Sequence, residues 1–151
     1  MHSNLLLPTA TILLALLVPF HATAGANETD SGVRIAMPVD KTRSLKTSSL
    51  RAARRALKLR SAGRAGSTFY LQPAVTGIAI AKRGAGNRVR CSVQVSMTES
   101  KGNVIESRAT LLKAKATVIT TGGTKAKAKS ECLLHASWEL RERAAKLIAA
   151  R

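Results

Sequence analysis

The small number of histidines limits the catalytic chemistry that this chain could carry out. Of the three histidines, His2 and His21 fall in an apolar leading segment, so His135 is the one imidazole in the rest of the sequence. A Ser-His-Asp or Cys-His mechanism would need this ring beside a nucleophile and an orienting group. No motif of that kind surrounds His135, so the sequence predicts a protein that is not an enzyme and holds no cofactor.

Glu131, His135 and Glu139 stand at i, i+4 and i+8 of a predicted helix. They share one helix face and could therefore offer three ligands to a metal ion. Glu139 also lies four residues before Arg143, a spacing that is typical of ion pairs on a solvated helix face. We interpret the row as surface charge and predict no metal site.

Two glycines and a lysine precede the same helix, at Gly122-Gly123-Thr124-Lys125. Free backbone N–H groups at a helix start can bind phosphate. A P-loop needs the spacing G-x-x-x-x-G-K, which this segment lacks, so we interpret it as a flexible helix start. Lys125, Lys127 and Lys129 stay open as generic contacts for anions.

Cys91 and Cys132 are the two cysteines of the chain. An even count in an exported protein favours pairing, and two buried free thiols are the alternative. A disulfide between them would close a loop of about 40 residues and stabilise the fold by about 4 kcal/mol on the chain-entropy argument. We predict that the two are paired.

The first 24 residues have the pattern of a cleavable signal peptide. Residues 5–20 are mostly apolar, and the small-x-small site Ala22-Thr23-Ala24 follows. A helix of that length would rise about 24 Å, short of the roughly 30 Å hydrocarbon layer. We therefore predict a signal peptide over residues 1–24 and an exported protein, periplasmic or secreted, without a transmembrane span after cleavage. An uncleaved interfacial helix is the alternative.

Residues 25–66 are predicted to form a basic linker or helical arm. The whole chain has 25 Lys and Arg against 8 Asp and Glu, a net charge of +17, and such a field attracts polyanions and anionic membranes. Ser48 or Ser49 can cap a short amphipathic helix to about Leu59, and loose packing, a membrane-surface position and disorder are the alternatives for it. The predicted anion-binding residues are Lys41, Arg43, Lys46, Arg51, Arg54, Arg55, Lys58, Arg60 and Arg64.

Residues 67–151 are predicted to form an α+β domain. Thr68 to Lys82 is rich in β-branched and aromatic residues, which predicts a strand with a slip near Pro73 or Gly77. A glycine-rich hairpin loop then leads to a second strand, in which apolar and polar residues alternate. Its inward-facing members are Val89, Cys91, Val93, Val95 and Met97.

A third strand is predicted from Val104 to about Val118, antiparallel to the second. From about Lys125 to Ala150, apolar residues recur at helical spacing and form one stripe, which must lie on the apolar face of the sheet. The predicted fold class is α+β, a three-stranded antiparallel sheet covered by a long C-terminal helix, with a short basic N-terminal helix.

This order of elements resembles small exported α/β domains of bacterial envelope proteins, among them the soluble domains of penicillin-binding-protein activators and curli-assembly lipoproteins. The resemblance covers about Phe69 to Ala150. It rests on an inward-facing cysteine strand, a glycine-marked hairpin and an alanine-rich closing helix. The lipid-attachment cysteine of those lipoproteins is absent. The resemblance implies a periplasmic interaction module without catalysis.

Two functions follow from these observations. The first is a binding module that contacts an anionic polymer, an anionic lipid surface or an acidic envelope protein through the basic segment and the exposed Arg and Lys of the sheet. Nucleic acid is disfavoured, because Phe69, Tyr70 and Trp138 are the only aromatic residues available for base stacking after the signal peptide. The alternative is a structural protein–protein interaction domain of the cell envelope, with the basic segment as a linker.

Overall fold

A computed structural model describes residues 32–59, 66–102, 104–106 and 108–151. Within these ranges the chain forms a six-stranded mixed sheet with a long helix packed on it, and a shorter helix packs beside the long helix on the same core. The predicted signal peptide lies outside the described residues. The elements are β1 (Val33–Ile35), β2 (Val39–Asp40), α1 (Thr47–Ala56), β3 (Ser67–Arg83), β4 (Gly86–Lys101), β5 (Val104–Ile105), β6 (Thr110–Thr120) and α2 (Lys125–Ala149).

Strands β3 and β4 form a long antiparallel hairpin at the centre of the sheet. Gly84 and Ala85 connect them, and Gly84 has φ 56, a left-handed conformation that glycine adopts without steric cost. The register shifts between Val75 and Gly77, which confirms the predicted slip. Gly86 begins β4 so close to β6 that a Cβ atom there would lie 1.9 Å from the carbonyl oxygen of Thr120.

The alternation in β4 gives the sheet one apolar face, as predicted. From Val89 to Glu99 every second side chain of this strand is buried, while the side chains between them remain partly or fully exposed. A strand with period two must place such sets on opposite faces. The buried set, which faces the helices, is Val89, Cys91, Val93, Val95 and Met97.

The predicted three-stranded antiparallel sheet is wrong, because the sheet has more strands and a mixed topology. β1 and β2 run parallel to β3 along its outer edge, with Val33 opposite Phe69 and Val39 opposite Ala74. Parallel pairing needs a long crossover connection, and α1 lies within it. These strands have three and two residues, which is too short for an alternation pattern to show.

The predicted third strand is also divided in two. β5 pairs with Ser100 and Lys101 near the end of β4, and β6 pairs with residues 87–97 of the same strand. Just after β5, the N–H of Glu106 donates to the carbonyl of Glu99 in β4 at 2.8 Å. β4 is therefore flanked by β3 on one side and by two successive strands on the other.

Helix α2 closes the core as the sequence predicts. The side chain of Thr124 accepts a hydrogen bond from the N–H of Lys127 and caps the helix start, and Gly122 and Gly123 before it have φ 106 and 89. Its buried stripe packs on β4 and β6. The members of this stripe are Ala128, Cys132, Leu133, Ala136, Ser137, Leu140, Ala144 and Ile148.

Candidate anion-binding surface

The disulfide fixes the scaffold on which every candidate site is placed. Cys91 of β4 and Cys132 of α2 are bonded, with their Cα atoms 6.0 Å apart, and both residues are buried. The predicted pairing is therefore confirmed. Because both sulfur atoms are bonded to each other, neither cysteine offers a thiol for nucleophilic chemistry.

The basic helix α1 packs against the sheet-and-helix core. Ala53 and Leu57 are buried in the same hydrophobic cluster as the residues of β3, β4 and α2. Arg54 Nε donates a 2.9 Å hydrogen bond to the carbonyl oxygen of Ile35 in β1, and the hydroxyls of Ser49 and Ser130 lie 2.7 Å apart. These contacts hold α1 at a fixed position between β1 and α2.

The loop before α1 is held by one carboxylate. Asp40 accepts hydrogen bonds from the N–H groups of Thr42, Ser44 and Leu45 at 2.8–2.9 Å, and from the Thr42 hydroxyl at 2.6 Å. Partial burial alone would raise the pKa of Asp40, but these hydrogen bonds outweigh it and hold the pKa below its ordinary value. Within this loop Arg43 adopts φ 54, which is uncommon for a residue with a side chain.

A lysine of α2 joins the same region. Lys129 Nζ donates to the carbonyl oxygen of Ser44 at 3.2 Å, so the start of α2 contacts the loop before α1. Sequence reasoning left Lys129 open as a generic contact, and only the packing of α2 on this loop brings it here. We refer to Lys41, Arg43, Lys46, Arg51, Arg55 and Lys129 as the helical basic surface.

Most of the predicted anion-binding residues lie on or next to this surface. Lys41, Arg43, Lys46, Arg51, Arg55 and Lys58 are all exposed. Arg54 differs from them because it is half-buried and its Nε is used by Ile35. Arg60 and Arg64 lie outside the described residues.

The row of Glu131, His135 and Glu139 on α2 contributes surface contacts. Glu139 forms the expected ion pair with Arg143, and the ring of His135 meets that of Trp138 edge-on, with 5.3 Å between centroids. Among the described residues, no three His, Cys, Asp or Glu side chains are close enough to share a metal ion.

Other cations lie on the opposite face of the sheet, away from the helices. The alternation of β4 predicts that Arg88 and Arg90 point outward, and the structure places them there. Lys113 and Lys115 of β6 join them through the β4–β6 register. In β6 both lysines are exposed and Ala114 between them is buried. The sequence signal that could have identified them is the alternation of lysine and alanine with a period of two residues.

Comparisons with known proteins concern the fold. The hypothetical protein CT253 from Chlamydia trachomatis superimposes with a TM-score of 0.54 at 11% identity, covering 79% of this chain and 98% of that chain. A Caulobacter crescentus protein described as a "putative lipoprotein" gives a TM-score of 0.45 at 12% identity, covering 80% of this chain and 92% of that chain. No family model and no curated protein matches the chain. The resemblance to penicillin-binding-protein activators and curli-assembly lipoproteins therefore stays a prediction.

In the ranges that the structure describes, neither helix combines the length and hydropathy that crossing a bilayer requires.

Proposed function

We propose that this protein is an exported, non-enzymatic binding module that contacts an anionic partner of the cell envelope through the helical basic surface. The observation that carries the proposal is the position of α1. Its apolar side is buried in the core while Arg51 and Arg55 remain exposed, so the fold presents these cations in a fixed arrangement. A fixed array of charges loses less entropy on binding than a mobile one.

The free-energy cost of holding these cations in the helix and its preceding loop supports the proposal. Arg51 and Arg55 stand at i and i+4, where like charges destabilise a helix by about 0.2–0.5 kcal/mol. Arg43 holds a backbone conformation that costs a residue with a side chain roughly 1–2 kcal/mol. Asp40, at the end of β2, is the acidic residue next to this loop, and its oxygens accept hydrogen bonds from the loop itself. A bound anion would relieve the repulsion between the cations.

Export is supported by the disulfide and by the sequence of residues 1–24. Structural disulfides persist in oxidising compartments and are rare in reducing ones, and both sulfurs here are buried. The absence of catalysis is proposed because Cys91 and Cys132 are bonded to each other and the ring of His135 contacts Trp138.

The test is a titration of the protein from Gly25 against vesicles that contain phosphatidylglycerol and against a sulfated polysaccharide, over a range of salt. We expect the double variant Arg51→Gln/Arg55→Gln to bind at least about tenfold more weakly and to show a shallower salt dependence, because each lost contact lowers the slope. The matched control, Lys127→Gln/Lys146→Gln, removes the same charge from exposed positions of α2.

Two outcomes would contradict the proposal. One is an affinity that does not change with salt, because contacts between ions must weaken as salt screens them. The other is an equal loss in the control variant, which would show that net charge matters and its position does not. Arg54→Gln serves as a second control on α1, and its binding should match that of the unmodified protein once folding is verified.

A second candidate function is protein–protein interaction in the envelope. It is favoured by exposed apolar side chains, since Leu111 and Ile119 of β6 are 51% and 54% exposed and Trp138 is 43% exposed. Contiguous apolar groups on a surface mark contact sites for other proteins, whereas single ones are common, and Leu111 and Ile119 lie on the same exposed face of β6. Capture of an envelope protein that is insensitive to salt and is lost in Leu111→Ser/Ile119→Ser would favour this candidate over the first.

A further inference from the structure

The outward face of the sheet, which points away from both helices, has a charge pattern of its own. Each outward residue of β4 pairs across to outward residues of β3 and β6, and no acidic side chain occupies such a position in the described strands. Four cations do occupy them, and we refer to Arg88, Arg90, Lys115 and Lys113 as the sheet cation row.

The register spaces these four cations evenly. Arg88 pairs with Ile119 and Arg90 with Thr117, while Lys115 pairs with Ser92 and Lys113 with Gln94. The cations therefore occupy four successive outward levels of the β4–β6 ladder, one at each level. Two residues of a strand separate neighbouring levels, which is about 7 Å. The row thus spans about 20 Å across three such intervals.

On the β3 side of these four levels, the side chains are small. The residues opposite Arg88, Arg90, Ser92 and Gln94 are Ala81, Ala79, Gly77 and Ala74. The cations of β4 and β6 therefore lie beside a strip of β3 whose side chains are short. An extended chain can lie along this strip in contact with the sheet cation row without displacing bulky side chains.

The row lacks internal counter-ions. Within the described part of the chain, none of the four side chains forms an ion pair. The Nε atom of Arg88 is shielded from solvent and meets no hydrogen-bond acceptor among the described residues. A shielded donor without an acceptor destabilises the unbound state, and a shift of the Arg88 side chain toward an anion at this level would provide that acceptor.

We propose that the outward face binds an extended polyol phosphate chain, with one phosphodiester at each level of the sheet cation row. Two residues of polypeptide contain six backbone bonds and span about 7 Å when extended. A phosphodiester polymer with a three-carbon polyol spacer also has six bonds per repeat, so its charges recur at the same distance as the levels of the sheet. Ser92 and Gln94, at the two levels whose cations are Lys115 and Lys113, offer hydrogen bonds to hydroxyl groups of the spacers.

A nucleic acid strand has the same repeat but fits this face less well. Binding of single strands gains much of its energy from bases stacked on aromatic side chains. The aromatic residue in the outward set is Tyr70, and the guanidinium of Arg34 already lies over its ring, 5.9 Å from the centroid. The proposal does not depend on the helical basic surface, which lies on the other side of the sheet.

The test measures binding of a synthetic glycerol phosphate oligomer of twelve repeats by calorimetry or fluorescence anisotropy at several salt concentrations. Four phosphate contacts predict a slope of about −3 for log affinity against log salt, or about fiftyfold weaker binding at 200 mM than at 50 mM salt. We expect the variant Arg88→Gln/Arg90→Gln/Lys113→Gln/Lys115→Gln to bind at least about tenfold more weakly at 50 mM salt and to lose most of this slope.

Three controls make the result decisive. The variant Arg88→Lys/Arg90→Lys keeps the charge and should keep most of the affinity, and circular dichroism should show that all variants retain the fold. Lys127→Gln/Lys146→Gln, at exposed positions outside both basic surfaces, should bind the oligomer as the unmodified protein does, whereas Arg51→Gln/Arg55→Gln tests the helical basic surface. If that variant loses binding while the fourfold sheet variant keeps it, the ligand uses the helical basic surface, and the inference for the outward face is overturned while the proposed function stands.

The probes also discriminate between ligands. Inorganic polyphosphate, with two bonds between phosphorus atoms, should bind more weakly per charge than the glycerol phosphate oligomer, because its repeat does not match the levels. Equal affinity per charge for polyphosphate and the glycerol phosphate oligomer would overturn the inference, since charge density alone would then explain the binding. An oligonucleotide that binds more than tenfold tighter than an abasic oligomer of equal length would overturn it in favour of nucleic acid.

Discussion

Arg151 Nη1 lies 3.1 Å from Oε2 of Glu99 and joins the end of the chain to the central strand β4. The Glu99 side chain is only 4% exposed, and its other oxygen accepts a 2.8 Å hydrogen bond from the Ser67 hydroxyl. Arg151 also contacts Glu106 at 3.1 Å and the Thr110 hydroxyl at 2.8 Å. This cluster fixes the end of α2 against three strands.

The first prediction concerns acid stability. The hydrogen bond from Ser67, followed by that from Arg151, holds the pKa of Glu99 below its ordinary value of 4.5, and the loop hydrogen bonds hold that of Asp40 below 3.8. A carboxylate with a lowered pKa in the folded state stabilises the fold above its unfolded-state pKa. That stabilisation is lost as the pH falls through the lower, folded-state value.

We therefore expect the melting temperature to stay nearly constant from pH 7 to about pH 5 and to fall below about pH 4.5. Thermal denaturation of the unmodified protein and of Glu99→Gln will check this. The variant should be less stable at pH 7 and should lose less stability on acidification. A variant with the full acid sensitivity of the parent would exclude Glu99 as a contributor.

The second prediction separates stability from binding at Arg43. Because this residue holds φ 54, Arg43→Gly removes the backbone strain while leaving a more flexible unfolded chain, and the two effects oppose each other. We expect the free energy of unfolding to stay equal or to rise by up to about 1 kcal/mol, while binding to anionic vesicles weakens. Urea denaturation and vesicle titration measure the two quantities, and unchanged binding would remove Arg43 from the helical basic surface.

The third prediction concerns the close approach of β4 to β6. In Gly86→Ala the new Cβ would meet the Thr120 carbonyl oxygen at 1.9 Å, so the backbone must shift at a cost of about 1–3 kcal/mol. Gly77→Ala is the matched control, because its Cβ would meet Ser92 at an ordinary 3.8 Å. Urea denaturation should show a clear loss for the first variant and none for the second. Equal effects at the two positions would contradict the explanation.

The fourth prediction concerns the disulfide. Cys91 and Cys132 are 41 residues apart in sequence, so on the chain-entropy argument the bond contributes about 4 kcal/mol to the free energy of unfolding. We expect Cys91→Ala/Cys132→Ala to lose this amount together with a smaller packing contribution. Denaturation of the unmodified protein with and without reductant provides an independent measurement, and a loss under about 1 kcal/mol would contradict the prediction.

Much of the central structure could be predicted because it follows from local patterns. The alternation around Cys91 identified β4 and its buried face, and the helical spacing around Cys132 identified the buried stripe of α2. These two patterns placed both cysteines at the same interface, which is why the pairing could be predicted. Gly77 marked the register shift in β3 for a similarly local reason, since a glycine in a strand interior often accompanies a bulge.

The edge of the sheet could not be predicted because its determinants are distant in sequence. Val33 acquires its role from Phe69, more than thirty residues away, and a three-residue strand has no periodicity to detect. The same holds for the candidate site. Nothing in the sequence distinguishes Arg54 from Arg51 or Arg55, since its contact is the carbonyl of Ile35 in that unpredicted strand.

The parallel pairing of β1 and β2 with β3 has a consequence for the folding pathway. β3 and β4 are joined by a two-residue turn, so their ladder can form from contacts that are close in sequence, on a timescale of microseconds. The strands β1 and β2 emerge from the ribosome before β3, which is their only partner in the described sheet. The N-terminal strands are therefore synthesised before the β3–β4 hairpin, although their pairing with β3 depends on strands made later. We expect the N-terminal strands to pair after the β3–β4 hairpin has formed, because their pairing requires closure of a longer loop, whose entropy slows folding.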